Sequence, residues 1–130
     1  MSDTVTARTM IPGSEAAMMD LDDWGMLEPP VGVPLDGPMR QRGVEMWRSP
    51  DGKILTGLWE CDAGRLRADF DESGGEFIHV VGGRLICHAD DGTVTELRPG
   101  DTMTFQPGWT GIWECPVAMR KFYTVFKIGG

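Results

Sequence analysis

The chain has 130 residues, with twelve Lys plus Arg against twenty Asp plus Glu, for a net charge of −8. That length suits one domain with a real core, and a net negative charge repels phosphate backbones and anionic lipid surfaces, so neither nucleic acid nor membrane is expected as a partner. The acid is concentrated early: residues 1–40 carry seven acidic and two basic side chains, and 41–130 carry thirteen and ten.

The opening "MSDTVTAR" lacks a basic start followed by an apolar core, and no apolar run approaches the ~18 residues that cross a bilayer. A cytoplasmic location is expected. "SEAAMMDLDDW" (14–24) is the one helical candidate, with Ser14 placed to cap its first turn and acidic residues favouring the N-terminal end. The stretch 25–43 holds too much Pro and Gly for regular structure, and reads as an extended strap that crosses the barrel or reaches a partner subunit. Residues 1–43 therefore form an N-terminal arm and strap, and 44–130 the folded domain.

From residue 44 onward, short apolar or alternating runs are separated by Gly- and Pro-containing turns, which is an all-β pattern. The expected strands are 44–49, 54–61, 65–70, 76–81, 84–89, 93–97, 102–106, 110–115 and 120–127, with "PDG", "DAG", "DDG" and "RPGD" as reversals. About nine short strands cannot be buried by a single open sheet, so a sandwich or barrel follows. Cys61, Cys87 and Cys115 are odd in number, far apart and each within a strand-like run, so buried free thiols are expected.

Two segments carry a specific spacing. The first sets Gly64, Phe70, Glu72, Glu76 and Gly83 at fixed intervals across "FDESGGEFIHVVGG"; the second, "PGDTMTFQPGWTG", supplies Gly100, Asp101 and Gly108, with Gly111 three residues further on. Together they resemble the two motifs of the RmlC-like cupin superfamily, a jelly-roll or double-stranded β-helix barrel. Where that family places metal ligands, this chain has Phe70, Glu72, Glu76 and Gly111. Only Glu76 keeps a family ligand type, Glu72 substitutes a carboxylate, and Phe70 and Gly111 offer no side-chain donor. The runs "GLWECDAG", "DDGTVTELRPGD", "GWTGIWEC" and "RKFYTVFK" further resemble the small single-domain cupins related to ureidoglycine aminohydrolase and to EutQ-type proteins, over residues 44–127.

The two-residue period of a strand decides which side chains face inward. If Glu76 does, so do Ile78 and Val80, while Phe77, His79 and Val81 face out. The same count turns Leu66, Ala68, Phe70 and Glu72 inward, with Gly111, Trp113 and Cys115 on a later strand. The expected cavity is thus lined by Phe70, Glu72, Glu76 and Trp113, with Tyr123 or Phe122 from the last strand. Phe70 and Trp113 also suit plain barrel filling. One of Arg120 and Lys121 faces inward, where it could pair with a carboxylate, or lies at the surface.

Three functions compete. Glu72 and Glu76 could act as catalytic acid and base, or bind a small molecule together with Phe70, Trp113 and Tyr123, without a metal. The two carboxylates could instead hold a divalent cofactor, for which oxygen donors favour Mn²⁺ or Mg²⁺. The third function is assembly: cupins commonly form dimers, and an outward stripe of Phe77, His79 and Val81 suits a homodimer.

Overall fold

A computed structural model describes residues 8–129, which fold as two antiparallel sheets closed face to face into a jelly-roll barrel. One sheet has six strands in the order β1 (Asp22–Met26), β3 (Arg40–Arg48), β4 (Ile54–Cys61), β11 (Met119–Lys127), β6 (Gly74–Gly82) and β9 (Thr102–Phe105). The other has five, in the order β2 (Val33–Pro34), β5 (Gly64–Arg67), β10 (Gly111–Cys115), β7 (Leu85–Ala89) and β8 (Val94–Leu97). Each strand expected from residue 44 onward has a counterpart. The "PDG" and "DDG" turns place Gly52 and Gly92 at φ of +73° and +96°, backbone that side chains with a Cβ rarely adopt.

Alternation along the strands fills the barrel from both sheets. Inward residues Ile78, Val80, Leu66, Leu85, Phe105, Trp113 and Met119 join the three cysteines in one buried core. Cys61 Sγ and Cys115 Sγ, from opposite sheets, lie 3.8 Å apart, and all three thiols are free.

The N-terminal segment departs from its expected form. Residues 14–24 are not a helix: only Gly13–Ala16 is helical, preceded by Pro12, and Ser14 sits inside that turn and makes no cap. The acidic end of the stretch extends instead, pairing Asp22 with Gly43 and Asp23 with Arg42. Pairing with a partner twenty residues away thus outweighs a weak local preference for helix.

The strap crosses the chain's own barrel. Leu27 and Met39 are buried in the main core, and the Leu27 amide donates to the Met39 carbonyl at 2.7 Å. Upstream, Ile11 and Ala16 build a second apolar cluster with Val44 and Leu58 on the outer face of the six-stranded sheet. Val81 packs into that cluster, so the outward stripe is split: the arm covers Val81, while Phe77 is exposed.

Arg120 pins this arm to the barrel. Its guanidinium donates at 2.8 Å to Glu60 Oε1 and at 2.8 Å to each of the Ala16 and Met19 carbonyls, while Arg42 donates to the other Glu60 oxygen at 2.6 Å. Arg120→Met keeps the aliphatic stem and removes all three bonds, so a loss of about 2–3 kcal/mol is expected. The loss should be local, appearing as faster amide exchange over residues 11–21 while Ile78 and Val80 stay protected. Unchanged exchange in the arm would remove Arg120 as its anchor.

No helix among the described residues is long and apolar enough to cross a membrane.

Candidate functional site

The site begins with the approach of β6 to its neighbours. A Cβ at Gly75 would lie 2.1 Å from the Phe105 carbonyl oxygen, so glycine there allows β9 to close in. Register then sets Glu76 opposite Val125 of β11 and Phe105 of β9. From this start Glu76, Ile78 and Val80 turn inward and are buried, as the period of two requires.

On β11 the inward residues are Lys121, Tyr123 and Val125, which line the same cavity as Glu76. A register shift against β6 lies between Arg120 and Lys121. Both cations are buried, on opposite faces: Arg120 under the arm and Lys121 inside the barrel.

The Lys121 ammonium is ion-paired with Glu76 Oε2, and the two side chains are 5% and 8% exposed. Three rings surround the cation: Nζ lies 4.6 Å from the centroid of Trp113, 4.8 Å from that of Trp59 and 5.9 Å from that of Tyr123. Aromatic faces carry the negative end of their quadrupole toward such a charge and replace part of its lost hydration. The wall is fixed in turn by Gln41, whose Oε1 accepts from Trp59 Nε1 at 2.9 Å and whose Nε2 donates to the Met26 carbonyl at 3.4 Å.

This pair sits on the wall of a cavity of about 560 Å³. Phe70, Trp113 and Tyr123 line it as expected, joined by Trp59, Leu66 and Ala68, and by Trp24 from the arm. Phe70 also stacks on Phe105 at 5.5 Å, and Phe105 contacts Trp113 at 4.9 Å and Trp109 at 5.0 Å, so it serves as barrel filling too. Burial pushes the Tyr123 hydroxyl up to about 12, with Glu45 and Glu76 adding to the shift, so it stays protonated at neutral pH. The indole N–H of Trp113 is buried with no hydrogen-bond partner among the described residues.

Glu72 does not belong to this group. It is exposed, and its carboxylate lies against Gly108, where an added Cβ would come within 2.6 Å of Oε1. The expected carboxylate pair of Glu72 and Glu76 is therefore not formed. The reason is local: β5 ends at Arg67, and the Asp71 carboxylate accepts from the Ser73 amide at 2.8 Å, which turns the chain and ends the alternation. The carboxylate's actual partner is Lys121.

The four positions that hold metal in the resembled superfamily make no ligand set here. Phe70 is stacked in the core, Glu72 is at the surface, and Glu76 is engaged by an ammonium. A Cβ at Gly111 would meet the His88 carbonyl oxygen at 2.4 Å and the Trp109 ring at 2.7 Å, so a longer side chain has no room there. Among the described residues no three of His, Cys, Asp or Glu gather as a metal site would require. His88 pairs with Glu114 at 2.8 Å, and both are partly exposed. His79 lies on the outward face of β6, as alternation requires.

Trp59, Gln41 and Trp24 complete the site beyond the residues picked out from the sequence, and Lys121 is the inward member of the Arg120 and Lys121 pair. Alternation through "GLWEC" could have turned Trp59 inward with Gly57 and Cys61, whereas Trp24 had no local signal because its strand was read as helix.

Comparison with known proteins agrees with the fold. The model of the EutQ-like cupin domain matches residues 48–123. A protein of unknown function of the DUF861 family from Pseudomonas syringae superposes with a TM-score of 0.71 at 17% identity, over 84% of this chain and 45% of that one. This chain thus spans less than half of that relative's length. The Clostridium difficile EutQ protein superposes with a TM-score of 0.62 at 13% identity, over 84% of this chain and 81% of that one. Ectoine synthase from P. lautus gives 0.59 at 13% identity, over 72% and 67%. Likeness at such identities is one of fold. No match was found among curated proteins.

Proposed function

The chain belongs to the EutQ-like cupin family, and from that premise we propose that its barrel binds a small organic molecule against the Glu76–Lys121 pair, in place of the metal that other cupins hold. One observation carries the reading: a buried ion pair on the wall of a hollow of about 560 Å³. Well-packed apolar side chains of similar volume are often as stable as a buried ion pair or more so, so stability alone is a weak reason to keep one. The cavity falls within the ~300–1,000 Å³ typical of ligand sites, with mostly apolar walls and a few convergent polar groups. Glu76 is the group placed to take or give a proton to an occupant, and Lys121 holds its carboxylate in position. A Mn²⁺ or Mg²⁺ ion would need several oxygen donors, and of the four family positions only Glu76 presents one to the cavity.

The five tryptophans give a direct readout. In a screen of organic fragments at millimolar concentration, binders should move the indole N–H resonances of Trp59 and Trp113 and leave that of Trp47, which does not line the cavity. A broad library that moves neither cavity indole would defeat the proposal.

A further inference from the structure

Resting on that reading, we infer that Lys121 is a nucleophile toward an aldehyde or ketone in the cavity, forming a protonated Schiff base with Glu76 as its proton acceptor and donor.

The amine and its base are already in contact. Lys121 and Glu76 stand on adjacent strands, both line the cavity, and their ionised groups are paired. A nucleophile within hydrogen-bond reach of a base is the arrangement that activates an amine. Passing one proton from the ammonium to the carboxylate leaves a neutral amine beside a neutral acid. In a buried site that transfer removes two charges and strands neither, so it avoids the cost of an isolated buried ion.

The remaining steps need proton transfers alone. The nitrogen lone pair bonds to the carbonyl carbon, the C=O π bond breaks, and the oxygen takes the proton held by Glu76. The new N–H₂⁺ returns a proton to Glu76, which passes it to the hydroxyl as the C–O bond breaks and water leaves. In sum, an ammonium and a carbonyl become an iminium and one water, and Glu76 ends as the carboxylate it began as.

The product suits the site for the same reason the free ammonium does. One positive charge stays at Nζ, where the centroids of Trp113 and Trp59 lie at 4.6 and 4.8 Å and the Glu76 carboxylate is its counter-ion. Among the described residues no other lysine has this setting: Lys53 Nζ donates to the Gly129 carbonyl at 3.0 Å, and Lys127 is exposed at the end of β11. The cavity walls are mostly apolar, with Leu66, Ala68 and Phe70 among them, so the body carried by the carbonyl is apolar too.

Reductive trapping on the intact chain tests the assignment. Benzaldehyde and 3-phenylpropanal are each added near neutral pH with cyanoborohydride, which fixes an imine as a secondary amine, and peptide mass mapping compares Lys121 with Lys127. Lys121 should be labelled at least about tenfold faster than Lys127 in the folded chain, and the preference should vanish in denaturing urea. Glu76→Asp keeps the charge but withdraws the carboxylate by one methylene, and should slow labelling of Lys121 about tenfold with Lys127 unchanged. Aldehydes that move the Trp59 and Trp113 indole resonances yet label Lys121 no faster than Lys127 overturn the inference and leave cavity binding standing. Labelling of Lys121 that Glu76→Asp does not slow overturns the role given to Glu76. Aldehydes that neither move the indoles nor label Lys121 also overturn the inference, and the broad fragment screen then decides the cavity reading by itself.

Discussion

Lys121→Met should lower the unfolding free energy by about 3–5 kcal/mol, because it strands the Glu76 carboxylate in the barrel with no counter-ion. Methionine is close to lysine in length and apolar, so packing against Trp59 and Trp113 is largely kept and the loss reports mainly on the charge left behind. Glu76→Gln alone should be comparably destabilising, since it strands the ammonium. The double variant Glu76→Gln/Lys121→Met removes both charges and should return to within about 1 kcal/mol of the parent, as paired replacement of buried ions commonly does. Urea unfolding of the four proteins closes the cycle. Additive losses in the double variant would mean that the two side chains do not act as a pair.

Gly111→Ala is expected to cost about 3 kcal/mol or more. The added Cβ lands 2.4 Å from the His88 carbonyl oxygen and 2.9 Å from the Ala89 Cα, both backbone atoms of a paired strand that cannot rotate aside. Trp109→Ala would relieve only the ring contact at 2.7 Å, so the combination should recover little. Placing histidine there, as the superfamily pattern suggests, should therefore disrupt β10 before it creates a metal ligand. A Gly111→Ala protein within about 0.5 kcal/mol of the parent in urea unfolding would contradict this closed geometry.

How much of this was legible in the sequence varied with how far each residue's environment lay along the chain. Alternation from Glu76 correctly turned Ile78 and Val80 inward, and from Gly111 correctly turned Trp113 and Cys115 inward, because both runs are unbroken strands. The same count failed at Glu72, where the Asp71 side chain bonds the Ser73 amide and turns the chain after Phe70. A polar "DES" run signals a loop, but only the observed turn shows that the loop carries Glu72 to the rim.

Arg120 and Lys121 show a different limit. Adjacent strand residues must face opposite ways, yet both proved buried, because the arm covers one face while the cavity lies behind the other. That cover comes from residues 11–21, roughly a hundred positions away. The helix expected over 14–24 failed for a related reason: the partner of Asp22 and Asp23 is β3, and no local propensity contains that pairing.

The claim at the centre is that Glu76 and Lys121 form the binding site of the cavity as well as its buried ion pair. It is tested most directly by titrating one cavity-binding fragment into the parent and into Glu76→Gln/Lys121→Met. The double variant should fold with near-parent stability and bind at least about tenfold more weakly. A folded double variant that binds as tightly as the parent would contradict the claim.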